Sequence, residues 1–187
     1  MSDIKITDKR IVNTMNNIKN GMIRLLQKKQ FDKITIKDIC TESGISRTTF
    51  YAHYKDKNDF IFSYQNSLLK KGKKEILKKE FPNQHVFIET IIQYWLDEGK
   101  LILLLLGDDS AQTAHLQMKK ILQYNVELKL VPILNTKTLT TKEKYFLLIF
   151  MSNAIFGILQ DWVKRGCIET PKEIASIMNK LFTTAFK

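Results

Sequence analysis

The apolar positions of the chain repeat at helical spacing almost throughout. Ile11, Met15, Ile18, Met22 and Leu26 recur every three or four residues, giving one inward stripe. A first helix is expected from Thr7, whose hydroxyl can cap it, to about Lys29. The stretch QFDKIT breaks that pattern. Thr35 then suits the N-cap of a short helix, IKDICTES, with Asp38 beside the exposed amides and Ile36, Ile39 and Cys40 facing inward. Gly44 follows where a left-handed residue is wanted, Ile45 can plug the space between two helices, and Ser46 can cap a third helix, RTTFYAHY. A helix, a glycine turn and a capped helix make the helix-turn-helix layout.

Further helices are expected over 58–79, 85–98, 100–106, 111–130, 141–165 and 171–185. Phe81-Pro82 closes off the first of these. Thr170-Pro171 supplies an N-cap and an N1 proline for the last. Ile174, Ile177, Met178, Leu181 and Phe182 then follow at helical spacing. The chain carries only 7 glycines and 3 prolines, too little punctuation for an all-β fold, so the expected class is all-α. Tyr145 to Leu159 is the strongest apolar run, but Ser152 and Asn153 interrupt it, and it is shorter than the roughly 20 residues of a bilayer span. It reads as a buried helix, with no membrane partner.

Hydrophobic and charged contents of 44% and 26% are those of a globular protein. Cys40 and Cys167 lie far apart without CxxC partners, which argues against a zinc site or disulfide framework and fits a reducing cytoplasm. MSDIKITDKR lacks the apolar core of a signal peptide. His53, His85 and His115 form no HExxH, and neither a GxSxG nor a P-loop pattern occurs. His85 and Glu89 share a helical face, which reads as a solvated pair. No enzyme activity, metal or cofactor is expected.

Charge changes the picture. The net charge is +11, of which +9 belongs to residues 1–80. That asymmetry suggests a polyanion-binding front on a nearly neutral body. The front holds the helix-turn-helix, whose second helix would lie in a major groove with its first residues at base edges. Arg47, Thr48 and Thr49 occupy that position, and arginine and threonine suit guanine and thymine edges. Arg47 is one of four arginines against 26 lysines. Tyr51, His53, Lys55 and Lys57 follow as long donors able to reach phosphates, which set register and affinity. Tyr54 reads as a core aromatic. The lysines of LLKKGKKEILKKE, 68–80, would point away from a duplex touched by Lys57 and read as a solvated face.

The segment FDKITIKDICTESGISRTTFYAHYKDKNDF, Phe31 to Phe60, resembles the N-terminal domain of TetR-type bacterial transcriptional regulators. The matching places are Thr35, Ile39-Cys40, Gly44-Ile45-Ser46, Thr49-Phe50-Tyr51, Tyr54 and Lys57. Many members have glycine where this chain has Thr48. The resemblance implies a DNA-binding domain over 1–56, with Tyr51, His53 and Lys57 at phosphates, Thr35 and Lys37 assisting, Arg47, Thr48 and Thr49 at bases, and Ser46 counted among the DNA-binding residues. It implies a helical effector-binding and dimerisation domain over 57–187. The tail EKYFLLIFMSNAIFGILQDWVKRGCIETPKEIA resembles a low-GC Gram-positive subgroup related to a dihydroxyacetone-kinase operon activator.

The expected function is therefore a ligand-responsive repressor, homodimeric on a palindromic double-stranded DNA operator, with an unknown small-molecule effector. The alternatives are an activator or co-activator working with a partner protein, and a helical interaction module without DNA binding. The helix 141–165 is apolar on more than one side, so a second subunit is the economical cover for one of them. Phe150, Ile155, Phe156 and Leu159, with Ile174, Ile177, Met178 and Leu181, are the expected dimer interface. Tyr94, Trp95, His115, Tyr124 and Asn153 are the candidate effector contacts, because aromatics and isolated polar groups mix there.

Overall fold

The computed structural model describes residues 2–76, 80–129, 131 and 138–185. Among these, nine α-helices occur, with a 3-10 turn between the first two, and no strand. The helices are α1 Ser2–Leu26, α2 Ile36–Ser43, α3 Arg47–Tyr51, α4 Lys57–Ile76, α5 Gln84–Glu98, α6 Lys100–Gly107, α7 Gln112–Lys129, α8 Thr141–Lys164 and α9 Pro171–Ala185. The 3-10 turn is Phe31–Lys33. Below, α1–α3 are called the head and α4–α9 the body.

α1 begins at Ser2 and ends at Leu26, so Thr7 lies inside the helix rather than at its cap. α3 closes at Tyr51, three residues short of the expected end. The proposed continuation of α4 to Lys79, and residue 130 of α7, lie outside the described residues.

Capping chemistry sets several helix starts. Thr35 Oγ1 accepts from Asp38 N while the Asp38 carboxylate accepts from Thr35 N, a reciprocal box at the start of α2. The same box recurs with Thr140 and Glu143 at α8 and with Thr170 and Glu173 before α9. Gly44 is left-handed at φ 65°, and its N–H returns to the carbonyls of Cys40 and Thr41.

α1 crosses α2 and also touches α6. The crossing is close, because a Cβ on Gly21 would lie 2.2 Å from Ser43 Oγ. α5 packs on α9, α7 on α8, and α6 bridges α1, α5, α7 and α8. One apolar cluster runs from Ile18, Met22 and Phe50 of the head through Phe60 to Leu101, Leu105 and Phe156 of the body. A second joins Ile92, Val126, Met151, Ile155, Trp162, Ile174 and Met178. α8 is long and apolar enough to cross a membrane by length and composition, yet its inner face packs into both clusters.

Candidate nucleic-acid interface

α3 is short and held from beneath. Phe50 is fully buried and meets Tyr54 at 5.7 Å between ring centroids, and Tyr54 meets Phe60 at 5.2 Å. These rings fix the helix on the head, so the opposite side of α3 faces outward. Arg47, Thr48 and Tyr51 are exposed there, Tyr51 by 51%. Ser46 caps the helix by accepting from Thr49 N at 3.0 Å, and its hydroxyl lies 2.8 Å from that of Thr49. Thr49 is therefore half-buried and partnered within the turn. Thr35 and Lys37 are exposed at the start of α2, and His53 is half-buried beside Tyr54.

The carboxylates around this surface have internal partners. Asp38 accepts from Lys29 Nζ at 2.7 Å and from Thr35, which together hold its pKa well below the ordinary carboxylate value. Glu42 is bound by Arg24, and Asp56 accepts from the amides of Asn58 and Asp59. Asp59 in turn accepts from Lys55 N. With Asp38 and Glu42 offset by the cations paired to them, Arg47 and Lys37 add exposed positive charge, which suits a polyanion.

Lys57 differs from the expectation of a phosphate contact. Its ammonium donates to the carbonyls of Phe31, Asp32 and Ile34 at 2.6, 3.2 and 2.9 Å, and it lies 4.5 Å from the centre of the Phe31 ring. An ammonium has three N–H donors, and all three are used here. Lys57 ties α4 to the 3-10 turn. Asp108 secures the same turn from the body side, accepting from Phe31 N at 2.6 Å, while Ser110 Oγ accepts from Asp32 N at 3.1 Å. Neither residue was singled out from the sequence, since each lies more than 70 positions from its partner.

Residues 21–64 match the family model described as bacterial regulatory proteins, tetR family. Residues 83–184, more than half of the chain, match a model described as the transcriptional regulator C-terminal region of that group. The chain belongs to the TetR family. A 58-residue segment is 38% identical to the uncharacterized HTH-type transcriptional regulator YxbF of Bacillus subtilis (strain 168), covering 30% of this chain and 15% of that relative.

Among solved structures, a TetR transcriptional regulator from Streptococcus agalactiae 2603V superposes with a TM-score of 0.71 at 21% identity, over 95% of this chain and 98% of that one. The dihydroxyacetone kinase operon activator DhaS superposes at 0.57 with 16% identity, over 92% and 96%. The fatty acid degradation regulator FadR from Bacillus halodurans gives 0.56 at 11% identity, over 89% and 96%. At these identities the likenesses show the shared fold alone.

TetR regulators bind DNA operators and typically form homodimers, so the body's outer faces matter. Here the expected interface splits in two. Ile155, Phe156, Ile174 and Met178 are buried within the single chain, and Leu159 packs against both clusters. Phe150, Ile177 and Leu181 are exposed by 57%, 42% and 51%. Tyr145 and Phe146, at the start of α8, are also exposed and had not been assigned to the face. The four buried residues are corrections, since each is covered by its own chain.

The candidate effector contacts also divide. Tyr94 Oη donates to Leu68 O, and its ring meets Trp95 on α5. His115 lies with Nε2 2.8 Å from Leu105 O and packs on Phe156. Tyr124 is exposed by 62%, and Asn153 is exposed and donates to Ile149 O of its own helix, so neither joins the core. His85 and Glu89 form a long pair at 3.9 Å. No cluster of metal-binding type occurs among the described residues.

Proposed function

We infer that this TetR-family regulator reads a two-fold DNA site as a homodimer, acting as a cytoplasmic, effector-responsive repressor rather than an enzyme. The observation that carries the reading is the outer side of α3, where Arg47, Thr48 and Tyr51 are exposed while the neighbouring carboxylates have internal partners. Arg47 and Thr48 would read base edges, with Thr49 holding the cap and presenting its methyl. Thr35, Lys37, Ser46, Tyr51 and His53 would contact phosphates. Lys57 is left out of that set, because its donors are used. With a domain boundary proposed near residue 56, the reading unit would lie before α4, and the effector would act by shifting the two heads relative to each other.

The test is binding to DNA flanking the protein's own gene, titrated with salt and against random competitor. Arg47→Ala should relax sequence preference at one position per half-site. Lys37→Ala should weaken binding to all sequences and lower the salt slope by about 1. If random DNA competes equally with every flanking fragment and Arg47→Ala changes nothing, the reading fails.

A further inference from the structure

α4 runs unbroken from the head into the body, and its buried ridge is Ile61, Gln65, Leu68 and Gly72. Three of these suit an apolar interior. Gln65 does not. It is 2% exposed, and its side-chain oxygen is buried without a hydrogen-bond partner among the described residues. Ile61 and Leu68, on either side of it along the ridge, belong to the apolar cluster that includes Leu101 and Leu105. A buried amide oxygen without a donor costs stability that an apolar side chain of similar size would not. The packed position of α4 therefore carries a cost that outward movement of the helix relieves, because the amide then meets water.

A reciprocal pair of tyrosines holds α4 down on its seam with α5. Tyr64 of α4 donates from Oη to Glu98 O at 3.0 Å, and Tyr94 of α5 donates from Oη to Leu68 O at 2.7 Å. Glu98 ends α5, where carbonyls have run out of helical partners, so Tyr64 takes up one that the helix leaves over. Gly72 makes room for the other bond, since a Cβ there would lie 2.6 Å from Cε1 and 2.9 Å from Cζ of Tyr94. Both bonds end on main-chain carbonyls, so they tie α4 to one register along α5. Burial pushes the pKa of both phenols up, so both keep the proton they donate. Lys71 adds an ion pair with Glu98 at 2.7 Å, which is exposed and contributes little.

We propose that the α4–α5 seam is a latch, closed by the hydroxyls of Tyr64 and Tyr94 and biased towards opening by the buried amide of Gln65. α4 is one helix from Lys57 to Ile76, and Lys57 holds the 3-10 turn of the head. Opening the seam therefore frees the rod on which the head is mounted. The latch belongs to the body, and only its consequence for DNA rests on the function proposed above. By linkage, a ligand that favours the open or the closed seam alters DNA affinity to the extent that the two differ in head position.

Hydrogen-exchange mass spectrometry of the full chain, without DNA, is the measurement. Tyr64→Phe with Tyr94→Phe keeps both rings and removes both donors. It should speed exchange across α4 and α5 about tenfold while α8 keeps the parent rate. Gln65→Met fills similar space without the amide and should slow the same segments about threefold or more. Combining the three changes should bring the rates back towards those of the parent. The proposal is overturned if Gln65→Met exchanges as fast as the parent or faster, since the amide would then be a satisfied part of the packing. It is equally overturned if the tyrosine variant leaves α4 and α5 unchanged, or speeds α8 by the same factor, since the hydroxyls would then serve overall stability alone. Should circular dichroism show the double tyrosine variant unfolded, Tyr94→Phe and Gln65→Met decide by the same criteria. Arg47→Ala should exchange like the parent in α4 and α5 whatever it does to DNA binding, which separates failure of the latch from failure of the reading head.

Discussion

Lys57 occupies a place where the charge pattern alone suggests a phosphate ligand, yet its ammonium closes the end of the 3-10 turn by meeting three carbonyl oxygens. Replacing it by methionine keeps an apolar stem over Phe31 and removes the donors. Lys57→Met should destabilise the fold by about 1–3 kcal/mol in urea unfolding, the cost of carbonyls losing their partner. The salt slope of DNA binding should stay unchanged, in contrast to Lys37→Ala. The residue was legible as a lysine at the start of α4. Its role was not, because its partners lie 23 to 26 positions earlier and only the fold brings them together.

Asp38 gives a prediction of opposite character. Its pKa is depressed from 3.8 by the Lys29 ammonium first and by the Thr35 hydrogen bonds second. A depressed carboxylate binds fewer protons folded than unfolded, so its contribution is complete above the ordinary value and is lost as pH falls through the lower, folded one. Stability should therefore decline with acid below about pH 4, near the ordinary carboxylate value. Asp38→Asn should flatten that part of the profile, read from unfolding midpoints between about pH 5 and 2.5.

At the scale of elements, the turn from α2 to α3 was legible because its chemistry is local. Thr35 with Asp38, Gly44, and Ser46 with Thr49 act across three or four residues, and each does in the structure what its spacing suggests. The opening of α1 was not legible, since nothing in SDIKIT breaks a helix and the threonine chosen as its cap lies inside it. The crossing of α1 with α2 depends on a missing side chain. A Cβ at Gly21 would approach Ser43 Oγ at 2.2 Å, Ser43 N at 3.2 Å and Ser43 Cβ at 3.3 Å, so rotating the hydroxyl away does not clear the space. Gly21→Ala should cost about 1–3 kcal/mol, despite the better helix propensity of alanine. A variant as stable as the parent would mean that the two helices can separate freely.

At the scale of the whole molecule, periodicity marks α8 and α9 as apolar but cannot say which apolar side its own chain covers. The fold gives Ile155, Phe156, Ile174 and Met178 to the interior and leaves Phe146, Phe150, Ile177 and Leu181 exposed. Gly157 lies about two further turns beyond Phe150 on α8, and a Cβ there would meet nothing within 4 Å. Within one chain this glycine only weakens the helix, by about 0.5–1 kcal/mol relative to alanine. A helix of a second copy crossing closely at that point would give it a purpose. Three outcomes follow if this face pairs two chains. Phe146→Lys with Leu181→Lys should yield a folded monomer by sedimentation. That monomer should bind a single half-site as the parent head does, but lose about 10²–10⁴ in affinity for the two-fold site, because the second head is no longer held at high effective concentration. Gly157→Ala should raise the thermal stability of that monomer while weakening association of the otherwise unaltered chain. A dimer surviving the double lysine variant would move the interface to another face of the body and leave Gly157 without a role in assembly.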